Sequence, residues 1–212
     1  MLLEEIRTRK SVRTYSEQPL SEEVIDEILE AGRLAPSWVN VQPWKFIVIK
    51  DPVTKELLYK ASGGQKQVLN ANVVIACVAD FEAWEKKNFG KVLEQNERHR
   101  DAKDFILSSP SLNPSLLGDT ETLVRTVEQL TYAIAYMTLQ AEKSGVGMCV
   151  LGAIANEMTH GDKELVEEVR ERLKLNDKHL LLTLLTLGYE KTPTETKKLR
   201  KEKDEVVFRE SL

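Results

Sequence analysis

Four basic residues and a hydroxyl fall within seven positions near the start of the chain: Arg7, Arg9, Lys10, Ser11 and Arg13. If the segment from Arg9 is extended, Arg9, Ser11 and Arg13 point to one side, because side chains alternate along a strand. Two guanidinium forks flanking a hydroxyl suit a phosphate dianion, which accepts paired N–H donors. The alternative is a solvated basic turn, favoured at a helix C-terminus by the helix dipole. A second group lies in residues 35–44, where Ser37, Asn40 and Gln42 stand beside Trp38 and Trp44. Pro36 and Pro43 stiffen that backbone. Neutral donors and acceptors next to indole rings suit a flat heteroaromatic ligand with polar edges. The alternative is a helix-to-strand connection whose tryptophans fill the core.

Other reactive constellations are missing from the sequence. There is no GxxxxGK[ST] and no GxSxG, and His99, His160 and His179 are scattered without HExxH or HxH spacing. Gly145-Val146-Gly147 resembles part of a dinucleotide fingerprint, but it follows a helix where that motif needs a strand. No Ser-His-Asp or Cys-His nucleophile is indicated. An enzyme built on this chain therefore takes its reactive atoms from a bound organic cofactor, with protein groups positioning and tuning it. No metal site and no catalytic side chain is expected.

The elements that must hold these groups follow from capping and periodicity. Ser21, with Glu22 and Glu23, opens a helix with Val24, Ile25, Ile28 and Leu29 at helical spacing, closed by Gly32 and Pro36. A strand over 45–50 follows, then Asp51-Pro52 as a helix start running to about Ser62-Gly63-Gly64. Residues 73–79 are apolar on both faces and read as a central strand. Residues 81–118 are polar and helix-permissive, then loop-like, an excursion of the kind that forms lids or binding loops. Asp119 caps a long helix to about Lys143, with Gly145 as its stop. That helix is apolar around most of its girth, which places it at the centre of the domain, at a dimer interface, or both. A strand over Gly147–Leu151, a helix over 162–173 and a strand over 180–187 ending at Gly188 complete the pattern. The tail from 189 has no core of its own beyond the apolar triplet 206–208.

Composition bounds the function. The 212 residues carry 30 Lys+Arg against 34 Asp+Glu, a net charge of −4, which disfavours general nucleic-acid binding. No apolar run is long enough to span a bilayer, so no membrane role is expected. The first ten residues mix acids and bases without an apolar core, unlike a signal peptide. Cys77 and Cys149 lie inside apolar runs and read as reduced core residues of a cytoplasmic protein. The reading is one α/β or α+β domain over 1–212.

Together the clusters resemble the FMN-dependent nitroreductase family. R-K-S-V-R-T-Y (9–15) is similar to that family's R-x-S-x-R-x-[YF] opening, and A-P-S-W-V-N-V-Q-P-W-K-F (35–46) to its A-P-S-x-x-N-x-Q-P-W-x-F stretch. Gly145-Val146-Gly147 with V-L-G (150–152) is like its G-x-G-x-x-x-x-G segment, and L-G-Y (187–189) followed by Lys198 and Arg200 is like its closing basic pair. The resemblance implies an α+β fold with a mixed central sheet, and a homodimer whose C-terminal arm (189–212) reaches the partner. It implies FMN as cofactor, NADH or NADPH as donor, and a small electron-poor acceptor such as a nitroaromatic or quinone, reduced by a ping-pong mechanism. Arg9, Ser11 and Arg200, with Lys198, are expected at the FMN phosphate, and Lys10 through its backbone. Arg13 is expected at the flavin edge where negative charge develops, Gln65 at the pyrimidine edge, and Val150, Leu151 and Gly152 against the ring. Pro36, Ser37, Trp38 and Asn40 are expected from the partner subunit. A flavin-binding storage or redox-sensing module is the alternative.

Overall fold

The computed structural model describes residues 1–159, 161–193 and 197–211. His160 and residues 194–196 of the expected arm lie outside the described residues. In chain order the helices are α1 (Glu4–Thr8), α2 (Glu22–Arg33), α3 (Pro52–Ala61), α4 (Gln67–Asn70), α5 (Lys86–Gln95), α6 (Glu97–Arg100), α7 (Lys103–Ser108), α8 (Asp119–Lys143) and α9 (Lys163–Leu173). The strands are β1 (Trp44–Ile49), β2 (Val73–Asp80), β3 (Gly147–Leu151) and β4 (His179–Gly188).

The strands form one sheet in the order β1-β2-β4-β3, every neighbouring pair antiparallel. The expected mixed sheet is thereby corrected: among the described residues the parallel pairing is one isolated bridge, Ser11 to Met148.

The double-sided apolarity of β2 has a direct cause. Val73, Ile75, Cys77 and Ala79 face a core made with Ile25 and Ile28 of α2 and Leu130, Ala133, Ile134 and Met137 of α8. Val74, Ala76 and Val78 face the other core, with Leu57 and Leu58 of α3 and Val169 and Leu173 of α9. A strand covered by helices on both faces reads as a continuous apolar run, here from Val73 to Ala79. Ser21 caps α2 through its hydroxyl and Asp51 caps α3, with Pro52 as its first residue.

Two local expectations change. Gly32 does not stop α2; it lies inside the helix, where a Cβ would meet Met137 Cγ at 2.8 Å, so it permits the close approach of α2 to α8. Asp119 is the first residue of α8 rather than its cap, a place held by Gly118. Within the chain α8 is buried along one stripe, and its other apolar positions, Val124, Tyr132 and Tyr136, are exposed. Residues 81–118 fold into short helices around their own cluster of Trp84, Phe89, Leu93, Ile106 and Leu107, which also receives Val41.

Candidate functional site

The first basic segment is held along the free edge of β3. Helix α1 ends at Arg9, whose N–H returns to Glu5 O at 3.0 Å, and the chain then extends. Ser11 bridges Met148, and Val12 N–H donates to Met148 O at 3.0 Å. This approach requires Gly147, since a Cβ there would lie 2.8 Å from the Cβ and both methyls of Val12. Tyr15 buttresses the segment from below. Its hydroxyl lies 2.7 Å from Val12 O and 2.7 Å from Thr186 Oγ1, so it can donate to the carbonyl while accepting from the threonine. Burial drives that phenol's pKa far upward, keeping it a donor.

The tail returns to the same place. Ser16 N–H donates to Tyr189 O and Lys191 N–H to Thr14 O, while Lys10 pairs with Glu190 at 2.8 Å. Lys198 Nζ donates to Ile6 O at 2.5 Å. Its ammonium is held below the usual lysine range by desolvation first and then by the charges of Arg9 and Arg200, with Glu142 opposing. Arg9, Lys198 and Arg200 of one chain therefore share one neighbourhood. On the strand side, burial raises the Cys149 thiol, and Arg13, Ser11 and Arg9 oppose that rise. Guanidiniums and an ammonium near a hydroxyl fit a phosphate dianion, which accepts from each and offsets their mutual repulsion.

Beyond the Ser11 bridge at Met148, β3 runs on to an open shelf. Val150 is 43% exposed although apolar, and nothing lies within 4 Å of the place a Gly152 Cβ would take. Leu151 is buried and its carbonyl accepts from Thr183 Oγ1 at 2.6 Å, which fixes the strand's end. Gln65 Nε2 reaches Ser62 O at 3.1 Å and Ala153 O at 3.3 Å, and its Oε1 accepts from Gln67 Nε2. An apolar surface flanked by a primary amide on one side and guanidiniums on the other fits a flavin ring with its phosphate tail.

Pro36, Ser37, Trp38 and Asn40 are not brought to this place. They lie in the loop that leads into β1, at the opposite edge of the sheet from β3. The loop carries unusual backbone: Val39, Asn40 and Gln42 have φ of 41°, 61° and 50°. Side chains hold it. Ser37 Oγ accepts from Gln42 N–H at 3.0 Å, and Gln42 Nε2 donates to Asn40 O at 3.1 Å. Trp38 N–H donates to Gln129 Oε1 at 2.7 Å, Trp38 Nε1 donates to Leu112 O at 3.0 Å, and the Arg125 guanidinium lies 4.9 Å from the Trp38 ring centre. Gln129 and Arg125 escaped the sequence reading. The available signal was two polar residues set beside the apolar seam of α8.

A separate polar knot closes one end of the sheet. Asp80, Glu82 and His179 present ligand atoms within 4.8 Å of one another, and the Lys45 ammonium already pairs with Asp80. Nearby, a groove of about 1030 Å³ runs between Phe81, Trp84, Leu123, Met158 and His179. Its lining includes none of the residues expected at the cofactor.

The nitroreductase family model matches residues 6–189. An NADH dehydrogenase of Thermus thermophilus is 46% identical over 74 residues, 35% of this chain and 36% of its own length. An FMN reductase [NAD(P)H] of Bacillus subtilis is 26% identical over 167 residues, covering 78% of this chain and 58% of that protein. Among solved structures, B. megaterium NfrA1 superposes with a TM-score of 0.75 at 29% identity, over 98% of this chain and 73% of that one. No helix among the described residues is long and apolar enough to cross a membrane.

Proposed function

The chain belongs to the nitroreductase family, and from that premise we propose that it is an NAD(P)H-dependent oxidoreductase with FMN as its cofactor. The observation that carries this reading is the basic segment Arg9–Arg13 held along β3 next to the exposed Val150, with Lys198 of the tail returning to Ile6 just before it. When bound, FMN supplies the electron chemistry, taking hydride from NADH or NADPH and passing it to an electron-poor acceptor such as a nitroaromatic or quinone. Arg9, Ser11 and Arg200, with Lys198, would hold the phosphate. Lys10 turns its side chain to Glu190 and is left to act through its backbone. Arg13 would stabilise negative charge developing at the flavin edge, a place where one positioned donor is worth about 10²–10³ in rate in well-studied enzymes. Gln65 would read the pyrimidine edge, and the backbone of Val150, Leu151 and Gly152 would lie against the ring.

In this reading the site is completed by a second copy. Pro36, Ser37, Trp38 and Asn40 stand at the far sheet edge, so they can meet a flavin held at β3 only from another subunit. The exposed Val124, Tyr132 and Tyr136 of α8 supply an apolar face for pairing, and Val206, Val207 and Phe208 of the arm are likewise exposed. β1 is an edge strand whose outer side is available to such an arm. With β3 below and the partner's loop beside it, the ring would be reachable from one face, so donor and acceptor must bind in turn.

Anaerobic stopped-flow tests the proposal. NADH or NADPH should bleach the bound flavin, a nitroaromatic or quinone should restore it within the turnover time, and double-reciprocal plots at several acceptor concentrations should be parallel. If neither nicotinamide reduces the flavin at a useful rate, a storage or sensing module replaces the oxidoreductase.

A further inference from the structure

The loop that carries Pro36, Ser37, Trp38 and Asn40 is held in a conformation its own sequence resists. Left-handed backbone is unfavourable for most non-glycine residues, and a β-branched residue such as Val39 is an outlier there. Asn40 tolerates the region, but Val39 and Gln42 within four positions persist there only where the surroundings over-determine them. The surroundings here are specific. Gln129 is 3% exposed, and its two ends do different work: Oε1 accepts from Trp38 N–H at 2.7 Å, while Nε2 donates to Glu128 Oε2 at 3.1 Å. Glu128 is fixed in turn by Arg125 Nη1 at 2.6 Å and Tyr132 Oη at 3.2 Å, and Arg125 covers the Trp38 ring. One turn away, Thr126 Oγ1 accepts from Trp84 Nε1 at 2.8 Å, so the same stretch of α8 anchors the 81–118 excursion.

We propose that Gln129, braced by Glu128 and Arg125, is the positioning residue that presets the 37–42 loop for the flavin of the second subunit. The inference rests on the FMN reading and adds to it a residue that touches no cofactor. Gln129 supplies the acceptor without which the Trp38 N–H is stranded. The backbone from Ser37 to Gln42 then relaxes out of the left-handed region, and Asn40 leaves its binding position. The carboxamide suits this place because it accepts and donates at once, whereas an apolar side chain of the same length can do neither.

Gln129→Met keeps the length and removes both the acceptor for Trp38 and the donor to Glu128. FMN titration of the dimeric protein, followed by flavin fluorescence, should show at least tenfold weaker binding for Gln129→Met, the size expected for a lost and unreplaced buried hydrogen bond. The readout that a merely structural role would not move is the double-mutant cycle with Asn40→Ala: once Gln129 is Met, removing Asn40 should cost little more. If Gln129→Met does not fold, Arg125→Leu, on the half-exposed side of the same network, carries the test with about threefold weaker binding and the same non-additivity with Asn40→Ala. Native-like FMN affinity in Gln129→Met, or strictly additive losses with Asn40→Ala, overturns the inference and leaves the FMN reading standing. Failure of the native protein to bind FMN overturns the reading instead.

Discussion

The two groups of residues expected at the flavin are held by different means. At the β3 edge, the Arg9–Arg13 stretch is placed by main-chain contacts: a bridge from Ser11 to Met148, the Val12 bond to the same carbonyl, and the bare Cα of Gly147 beneath Val12. At the β1 edge, the 37–42 loop is placed by side chains reaching in from α8 and from the excursion. The difference teaches where each half is vulnerable. A backbone-placed segment tolerates side-chain exchange but not a change in spacing from its neighbour, while a side-chain-placed loop depends on residues remote in sequence.

The largest test removes the charge that the two chain ends share. Deleting residues 196–212 takes away Lys198 and Arg200, and FMN retention should fall by more than about a hundredfold together with dimer stability, since more than one charge-assisted bond is lost. Ultracentrifugation with flavin absorbance reads both at once, and a truncated dimer that keeps FMN at native affinity would separate the arm from the site. Arg9→Ala is the next step down. It should cost about 1.5–3 kcal/mol of FMN binding, roughly one to two orders of magnitude, while riboflavin, lacking the phosphate, is barely affected. Equal losses for both ligands would place Arg9 elsewhere.

The comparison sharpens further through two backbone substitutions of opposite sign. Gly147→Ala drives a methyl into Val12 and should destabilise the fold by about 1–2 kcal/mol in urea unfolding, with FMN affinity falling in step as the basic segment is pushed off β3. An alanine variant as stable as the native protein would mean the segment is not held by that close approach. Val39→Gly should act the other way and least strongly. Relief of left-handed strain, offset by added unfolded-state freedom, leaves a gain of about 0.5–1 kcal/mol. A loss of stability would show that Val39's contacts with the excursion outweigh its strain.

Legibility in the sequence tracks the same division. The apolar runs of β2 and β4, the Ser21 cap, the Asp51-Pro52 start of α3 and the Gly145 stop of α8 are set by near neighbours, and each is found where periodicity or capping puts it. The basic segment was readable because its groups sit within seven residues. The antiparallel character of the sheet was not, since strand direction depends on connections rather than on strand composition. Gly32 misled because its partner, Met137, is a hundred positions away in another helix. The helices of the excursion were hidden by polar surfaces, although Phe89 and Leu93, four apart, marked one inward face. Gln129 left only a faint mark, a polar residue beside the apolar seam of α8, because its partner Trp38 lies far away in sequence.

The separate core of the excursion has a consequence for how the molecule breathes. Trp84, Phe89, Leu93, Ile106 and Leu107 pack chiefly with one another, while β2 and β4 are sealed between two other clusters. Opening the excursion therefore gives up a handful of buried side chains, whereas exposing the sheet means losing both large cores. Amide protons in α5 and α7 should exchange with solvent through a low-energy partial opening, and those of β2 and β4 through global unfolding alone. Exchange in that order would mark two tiers in the native ensemble, a rigid one that sets the edges of the sheet and a looser one in the excursion.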